Sequence, residues 1–508
     1  MDELLLGIDV GTTAAKAALF TVDGRLSGVA QADYPLNHLR PNWVEQNPED
    51  WWQAVCLALQ QVLSAVPNAR ERILGVAVSA QAPTLIALDI NGAPLRPALI
   101  WMDRRAESEA EFLAQSADVY AITGNRADAF YVAPKLRWLK TYEPHLLAQT
   151  RYFMQINGNI NYRLTGEFSL DPAHAALLQL RDYRSGEWSP LLCDLCGVEP
   201  TQFPSITPAD QVIGQVTPTA ASLTGLRPGT PVLTGTVDGS AAALEAGVVE
   251  VGSAAEMTGT STVLIMPTDG SITESAFIAM PHAIPNVHLL LGAMAASGAS
   301  LRWYLDQFGL VEQQSAKQSG LDPFSLLEKQ AAEVKAGSDG VLFLPYMMGE
   351  RAPIWHTAAR GVFFGLTLAT PRGALIRAIL EGTAFALRHN VEVARKAGVR
   401  IDELRSIGGG TRSPLWNQIK ADVLGVPVLL PQTSVGAPFG DAVLVGMSSG
   451  LYPDVRQTLR KLVVIQKRYE PDPTNQKRYE AIYPLFRSLY EHLRDDFDRA
   501  AAIYGDLE

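Results

Sequence analysis

Leu4–Gly28 reads LLLGIDVGTTAAKAALFTVDGRLSG. The run predicts a buried strand, a tight turn at Gly11-Thr12-Thr13, a returning strand through Phe20 and an Asp23-Gly24 turn. Asp9 stands inside the apolar run, directly before a turn of small and hydroxylated residues. A carboxylate buried there is costly unless it is paired or bound to a metal. Glycine and threonine leave backbone N–H groups and hydroxyls open to an anion. The chemistry suits a phosphate cradle with Asp9 near a magnesium ion. An ordinary hairpin with an exposed turn uses the same residues.

The chain has 508 residues, enough for two domains or more, and a formal charge of -11. No basic stripe offsets that acidity, which argues against a nucleic-acid partner. No run approaches the roughly 20 apolar residues that a membrane span needs. The start, MDELLLGID, has neither the positive flank nor the apolar length of a signal peptide. Cys56, Cys193 and Cys196 form a sparse, odd set that fits a reducing cytoplasm. Cys193-Asp-Leu-Cys196 has redox or half-zinc spacing but no second pair to complete it. Two partly buried thiols on a short helix are expected instead.

Beyond the hairpin, Ala30–Leu39 offers another strand. Asn47-Pro-Glu-Asp50 caps a helix running to about Val66. Arg72–Ala80 is a strand with a small-residue end, and Trp101-Met-Asp-Arg-Arg105 is a loop feeding a helix from about Ala106 to Gln115. Charge beside an indole just past a strand end is common at polar ligand sites; a capped helix with a solvated charge cluster is the alternative. Short helices are expected at Pro134–Thr141 and Ile156–Leu164. Pro231–Leu233 should feed Asp238 at a strand-to-helix junction, with a small-residue helix over Ser240–Ala246. Asp238 there either performs chemistry or caps the helix.

Ala254–Met266 followed by Thr268-Asp-Gly270 repeats the opening order of strand, Gly-and-hydroxyl turn, strand and Asp-Gly turn. The repeat suggests two domains of one kind facing each other, each with a phosphate-binding turn, divided near Gly247. The second half should hold a helix at Ala299–Phe308, polar sequence to Gly337, and a long helix over Arg372–Ala397. A strand Arg405–Ile407 should end in Gly408-Gly-Gly410. A helix follows at Ser413–Leu424, and a terminal one at Tyr479–Asp495.

Four segments together carry a resemblance over essentially the whole chain: Gly7-Ile-Asp-Val-Gly-Thr-Thr13, Thr236-Val-Asp-Gly239, Met257-Thr-Gly-Thr-Ser261 and Ser406-Ile-Gly-Gly-Gly-Thr-Arg-Ser413. In this order they resemble the FGGY-type carbohydrate kinases, the sugar kinases that include glycerol kinase, ribulokinase and xylulokinase. The resemblance implies an α/β fold of duplicated actin-like (ribonuclease H-like) ATPase domains facing across a cleft. It places residues 1–246 mainly on the sugar and 247–508 mainly on the nucleotide, with ATP and Mg2+ as cofactors. Asp9 would handle the metal, with Asp238 also near it, and Gly11, Thr12, Thr13 and Lys16 the transferred phosphoryl. Gly259, Thr260 and Ser261 would hold phosphates from the opposite domain. Gly408, Gly409 and Gly410 would approach the nucleotide, with Trp416, Asn417 and the Gly436–Asp441 segment around the adenosine. Asp238 would be the base taking a proton from the sugar hydroxyl. Phosphoryl transfer mostly needs alignment and charge compensation, which these turns and carboxylates can supply.

Asn42-Trp-Val-Glu-Gln-Asn-Pro48 and Ala133-Pro-Lys-Leu-Arg-Trp138 look most like xylulokinases. Gln81, Ala82, Trp101, Asp103, Arg104 and Phe130 would then line the sugar side. Gln81 is followed by Ala82-Pro83 where xylulokinases carry Met-His and glycerol kinases Arg-Glu, so a hydroxyl contact has changed there. Gln155-Ile-Asn-Gly-Asn-Ile160 also lacks the acidic residue common at this place in the family. The expected substrate is a ketopentose such as D-xylulose, with ribulose, glycerol or an erythritol-like polyol as rivals. A non-catalytic actin-like nucleotide-binding module is the rival of another class, and a homodimer is left open. Arg351 stands between a phosphate contact and a support of the cleft.

Overall fold

The Leu4–Val10 strand pairs antiparallel with Ala14–Thr21, placing Asp9 opposite Lys16, and the chain returns through Leu26–Asp33. The structure, a computed structural model, describes residues 3–432 and 435–505. The outermost ends of the two expected domains, residues 1–2 and 506–508, therefore lie outside the described residues. The opening strand is buried at nearly every position, as its apolar run requires. The helix Pro48–Ala65 packs on this hairpin with Trp51, Val55 and Leu59 inward. Asn47 caps it by accepting from Glu49 N at 3.1 Å.

Ile73–Ala80 then joins the Leu4–Val10 strand in parallel, and Pro231–Leu233 and Thr236–Val237 pair with Ile73–Ala80, also in parallel. The second half repeats the plan. Gly252–Thr258 pairs antiparallel with Thr262–Thr268, which pairs with His288–Met294. Ile401–Ile407 lies parallel beside Gly252–Thr258, followed by Val428–Pro431. Each half is thus a seven-stranded sheet built on one hairpin with parallel strands added at its side. The duplication expected from the two hairpins is present, and the fold is the actin-like one.

One element crosses the division. The helix Pro438–Ser448, late in the chain, lies on the first sheet against Leu4–Val10 and Ile73–Ala80, and against the helix Asp238–Glu245. A Cβ on Gly7 would sit 2.0 Å from Pro438 O, and one on Gly440 2.1 Å from Ala241 O. Both glycines are needed because two backbones pass closer than any side chain permits. Phe439, Val443 and Val445 join Leu5, Phe20 and Leu244 in a core shared by both halves.

Elsewhere the structure adds to the sequence reading. The polar stretch before Gly337 holds helices Leu310–Ser319 and Pro323–Ala332, and the terminal helix runs over Pro473–Gly505 with Pro484 inside it. Cys193 and Cys196 are buried on the short helix Pro190–Cys196, and burial pushes their thiols up to about 11 and about 12. Among the described residues no helix is long and apolar enough to cross a membrane.

Candidate active site

Parallel register decides what meets at the edge of the first sheet. Val10 lies opposite Ala80, and Ala80 opposite Val237. The next residues on the three strands, Gly11, Gln81 and Asp238, therefore leave the sheet side by side at its carboxyl edge, about 4.8 Å from strand to strand. Ligands of α/β folds bind at such an edge. Asp238 opens the helix Asp238–Glu245, and its Oδ1 accepts from Gly239 N at 2.6 Å. Val237, not Asp238, occupies the cap position. Burial, with the charge of Asp9 nearby, pushes the Asp238 carboxyl up to about 7.

Asp9 is half-buried, with its Oδ1 enclosed and unpartnered. Burial raises its carboxyl to about 6 against the opposing pull of Lys16. A third carboxylate belongs to the same cluster. Asp441, on the crossing helix, accepts from Ser79 Oγ at 2.7 Å, is fully buried, and is raised by burial and by the fields of Asp9 and Asp238. The sequence reading put the Gly436–Asp441 segment around the adenosine; Asp441 instead sits beneath Asp9. Among the described residues no group of three or more His, Cys, Asp or Glu is disposed to cage an ion. Asp9 with a free, buried oxygen nevertheless fits magnesium, which keeps several waters and takes one or two carboxylates plus phosphate oxygens.

The Gly11–Thr13 turn is held from below. Gly11 N donates to Ala14 O at 3.0 Å, Tyr34 OH donates to Gly11 O, and Gln46 Nε2 donates to Thr12 O at 2.8 Å. Trp101 Nε1 donates to Thr12 Oγ1 at 3.3 Å, joining the sugar-side loop to this turn. Lys16 donates to Val435 O at 3.0 Å, while Glu245 accepts from Gly436 N at 2.7 Å. Lys16 and Gly436 thus meet each other at the crossing segment.

In the second sheet Met257 lies opposite Ile407, so Thr258 and Gly408 leave it together. Gly408 has φ +82°, and a Cβ there would sit 2.7 Å from Thr258 O, so both backbone and space call for glycine. Past this edge opens a cavity of about 750 Å³, bordered by Gly259, Thr260, Gly298, Gly409, Gly410 and Trp416. Small-residue turns on one side and an indole with Phe324, Ile376 and Leu380 on the other suit a nucleotide. Asn417 does not border the cavity; its amide donates to Thr411 O at 3.0 Å and Ser413 O at 2.8 Å, bracing the glycine turn. Ser261 shapes the other turn, accepting from Gly259 N at 2.9 Å.

Sequence reading missed what lies beneath. Glu256, fully buried, accepts from Thr258 Oγ1, Ser406 Oγ and Lys420 Nζ, and Lys420 lies 5.0 Å from the Trp416 ring centroid. A glutamate inside the Gly252–Thr258 strand was the available signal, since a buried carboxylate demands a partner.

The residues of the Trp101–Arg105 loop divide. Asp103 is fully buried and accepts from Val44 N at 2.7 Å and from Arg105, so it fixes the loop rather than facing a ligand. Arg104 pairs with both oxygens of Asp128, whose Oδ1 also accepts from Phe130 N. Trp101 carries Arg351, from the other half, 5.3 Å over its ring. Phe130, Tyr131 and Val237 pack in one apolar cluster with Ala255, Leu291 and Ile407 of the second half, and Ala82, Trp101 and Met257 border it. The two carboxyl edges therefore face one cleft, with Asp238 and Gln81 on one side and Thr258 on the other.

Two family models cover most of the chain: the N-terminal domain of the FGGY family of carbohydrate kinases over residues 4–245, and the C-terminal domain over 254–449. A xylulose kinase of Escherichia coli (strain K12) is 30% identical over 96% of this chain and 99% of its own length. A gluconokinase of Bacillus subtilis (strain 168) is 28% identical over 99% and 98%. The crystal structure of a xylulose kinase from Rhodospirillum rubrum matches with a TM-score of 0.88 and 32% identity, over 98% of this chain and 100% of that one. With both family domains in order around one cleft, this chain belongs to the FGGY family of carbohydrate kinases.

Proposed function

We propose that the protein transfers the γ-phosphoryl group of ATP, with magnesium, to a hydroxyl of a ketopentose such as D-xylulose. The observation that carries this is the side-by-side exit of Gly11, Gln81 and Asp238 opposite a glycine-bordered cavity. The first 246 residues supply mainly the sugar side and the rest mainly the nucleotide side. The Gly259–Ser261 and Gly408–Gly410 turns hold the donor's phosphates through backbone N–H groups, and Trp416 borders the base. Gly11–Thr13 faces the group in transit. Magnesium, when bound, neutralises charge on the phosphates, and Asp9 is the carboxylate placed to hold it through its unpartnered oxygen. Asp238 orients the acceptor hydroxyl and takes its proton as the oxygen bonds to phosphorus. Gln81 and Trp101 contact the sugar, while Asp103 and Arg104 hold the loop that presents Trp101. The free thiols Cys56, Cys193 and Cys196 fit work in a reducing cytoplasm.

A second reading rests on Arg351. Its guanidinium lies over Trp101, and the charges of Glu350 and Asp128 act on it without either forming an ion pair with it among the described residues. Such a cation at the sugar side favours an acceptor bearing a carboxylate, an aldonate such as gluconate. Coupled ADP release with D-xylulose, D-ribulose, glycerol, erythritol and D-gluconate separates the two. The ketopentose reading expects D-xylulose to stimulate most. Preference for gluconate transfers the assignment to the aldonate, and no stimulation by any of the five overturns both.

A further inference from the structure

Behind Gln81 runs a line of buried polar side chains that the transfer chemistry does not use. Gln81, Thr84, Gln155, Asn157 and His174 are each at most 1% exposed. Each keeps one polar atom without a partner: Gln81 Oε1, Thr84 Oγ1, Gln155 Nε2, Asn157 Oδ1 and His174 Nε2. Native interiors leave only a few such atoms unmet per hundred residues, so five in one connected run ask for an occupant.

The residues are tied together. Thr84 N donates to Gln155 Oε1 at 2.9 Å, bringing the segment after Gln81 to the start of the helix Ile156–Thr165. Asn157 Nδ2 donates to Asp171 Oδ2 at 3.1 Å, and His174 Nδ1 bonds to the same oxygen. Thr236 Oγ1 lies 3.5 Å from Asp171 Oδ1, and Thr236 pairs in register with Ser79. The line therefore starts at Gln81, which leaves the sheet beside Asp238, and ends two residues before Asp238 itself. The free atoms mix acceptors (Gln81 Oε1, Asn157 Oδ1) with a donor (Gln155 Nε2) and a hydroxyl able to do either. A neutral His174 that gives Nδ1–H to the Asp171 carboxylate keeps a lone pair on Nε2 and accepts there. Vicinal hydroxyls, each both donor and acceptor, match that alternation.

We propose that the buried line from Gln81 through Gln155 and Asn157 to His174 is the wall that reads the acceptor's hydroxyls remote from the one phosphorylated, with His174 Nε2 accepting from one of them. The proposal rests on the sugar-kinase reading above and says which residues set its choice of substrate. A wall of this kind penalises an analogue lacking the hydroxyl, because a buried polar group is then left unmet. It also stands where Ala82-Pro83 replaces the hydroxyl-reading side chains that the resemblance leads one to expect.

The test uses the full-length enzyme and its best acceptor from the five-compound panel, with His174→Leu, His174→Gln and Thr84→Val. His174→Leu should raise the acceptor KM by about tenfold, the worth of one such hydrogen bond. It should leave the KM for ATP within about twofold. His174→Gln, which keeps an acceptor, should recover most of that loss. Calorimetric titration of the acceptor without nucleotide should show the same order. If His174→Leu does not fold, Thr84→Val, which removes only the hydroxyl, is read in the same way. Unchanged acceptor KM and unchanged order of preference in folded variants would overturn the wall and leave its free atoms to buried water. A wild-type enzyme that responds to no acceptor would instead take down the sugar-kinase reading.

Discussion

Gly7 and Pro438, 431 positions apart, touch so closely that a methyl group on Gly7 would lie 2.0 Å from Pro438 O. This contact fastens the crossing helix to the strand that carries Asp9, and it places Asp441 next to Ser79. The carboxylates of Asp9 and Asp441 thus sit where the two halves are joined. Gly7→Ala should destabilise the protein by about 1–3 kcal/mol or more, since the obstacle is backbone and cannot move aside as a side chain would. Urea unfolding followed by fluorescence measures it, and a loss under 0.5 kcal/mol would show that the helix yields easily.

Glu256 and Lys420 form a buried pair under the turns that follow Thr258 and Ile407. Lys420→Met leaves the carboxylate alone in the interior and should cost about 3–5 kcal/mol. Glu256→Gln combined with Lys420→Met should cost less, because no unpaired charge then stays behind. ATP affinity should fall in the single variant beyond what stability explains, since Glu256 also holds Thr258 and Ser406. Equal melting points for the single and double variants would contradict this.

Much of this was legible in sequence because strands, Gly-hydroxyl turns and Asp-Gly turns are local signals. Both hairpins and the Asn47 cap follow from residues within a few positions of one another. The helices Leu310–Ser319 and Pro323–Ala332 were not legible, because both bury few side chains and the first shows little apolar periodicity. The terminal helix tolerates Pro484 against the local rule, with Tyr479, Tyr483, Phe486 and Tyr490 buried along it. In the site, Asp9, Asp238 and the glycine turns stood out as polar or flexible residues in apolar runs. Asp441's link to Ser79 and Glu256's link to Lys420 span 362 and 164 positions, and only the folded chain brings them together.

Domain approach is the third expectation. If each half holds phosphate through its glycine-and-hydroxyl turn, as proposed above, sugar and nucleotide together should draw the halves closer, aligning the reactants and excluding water. Arg351 over Trp101 is one place where they already meet. Small-angle scattering of the free, binary and ternary states should give the smallest radius of gyration in the ternary state. One unchanged value for all three would exclude closure.

Asp238 carries the last expectation. An alcohol is a poor nucleophile, and its proton must leave as oxygen bonds to phosphorus. A base serves only when ionised, and burial with Asp9 nearby holds the Asp238 carboxyl at about 7. The acceptor kcat/KM should therefore rise with pH through about 7 and level off above it. Asp441, on the crossing helix and raised by the same burial, bonds to Ser79 rather than leaving the sheet edge with Asp238, so Asp441→Asn should leave that limb in place. Stability runs the other way. A carboxyl whose folded pKa lies above its unfolded value binds its proton more tightly when folded, so stability falls as pH climbs from about 4 through about 7. Asp238→Asn removes both effects. Turnover should drop by ~10²–10⁴-fold, the usual range for a positioned base. ATP binding should stay near wild type, because the phosphate turns are elsewhere, and the melting temperature should rise at pH 8 but not at pH 4. Turnover within about threefold of wild type, measured at saturating acceptor and ATP, would remove Asp238 from the chemistry and leave it as the first residue of a helix.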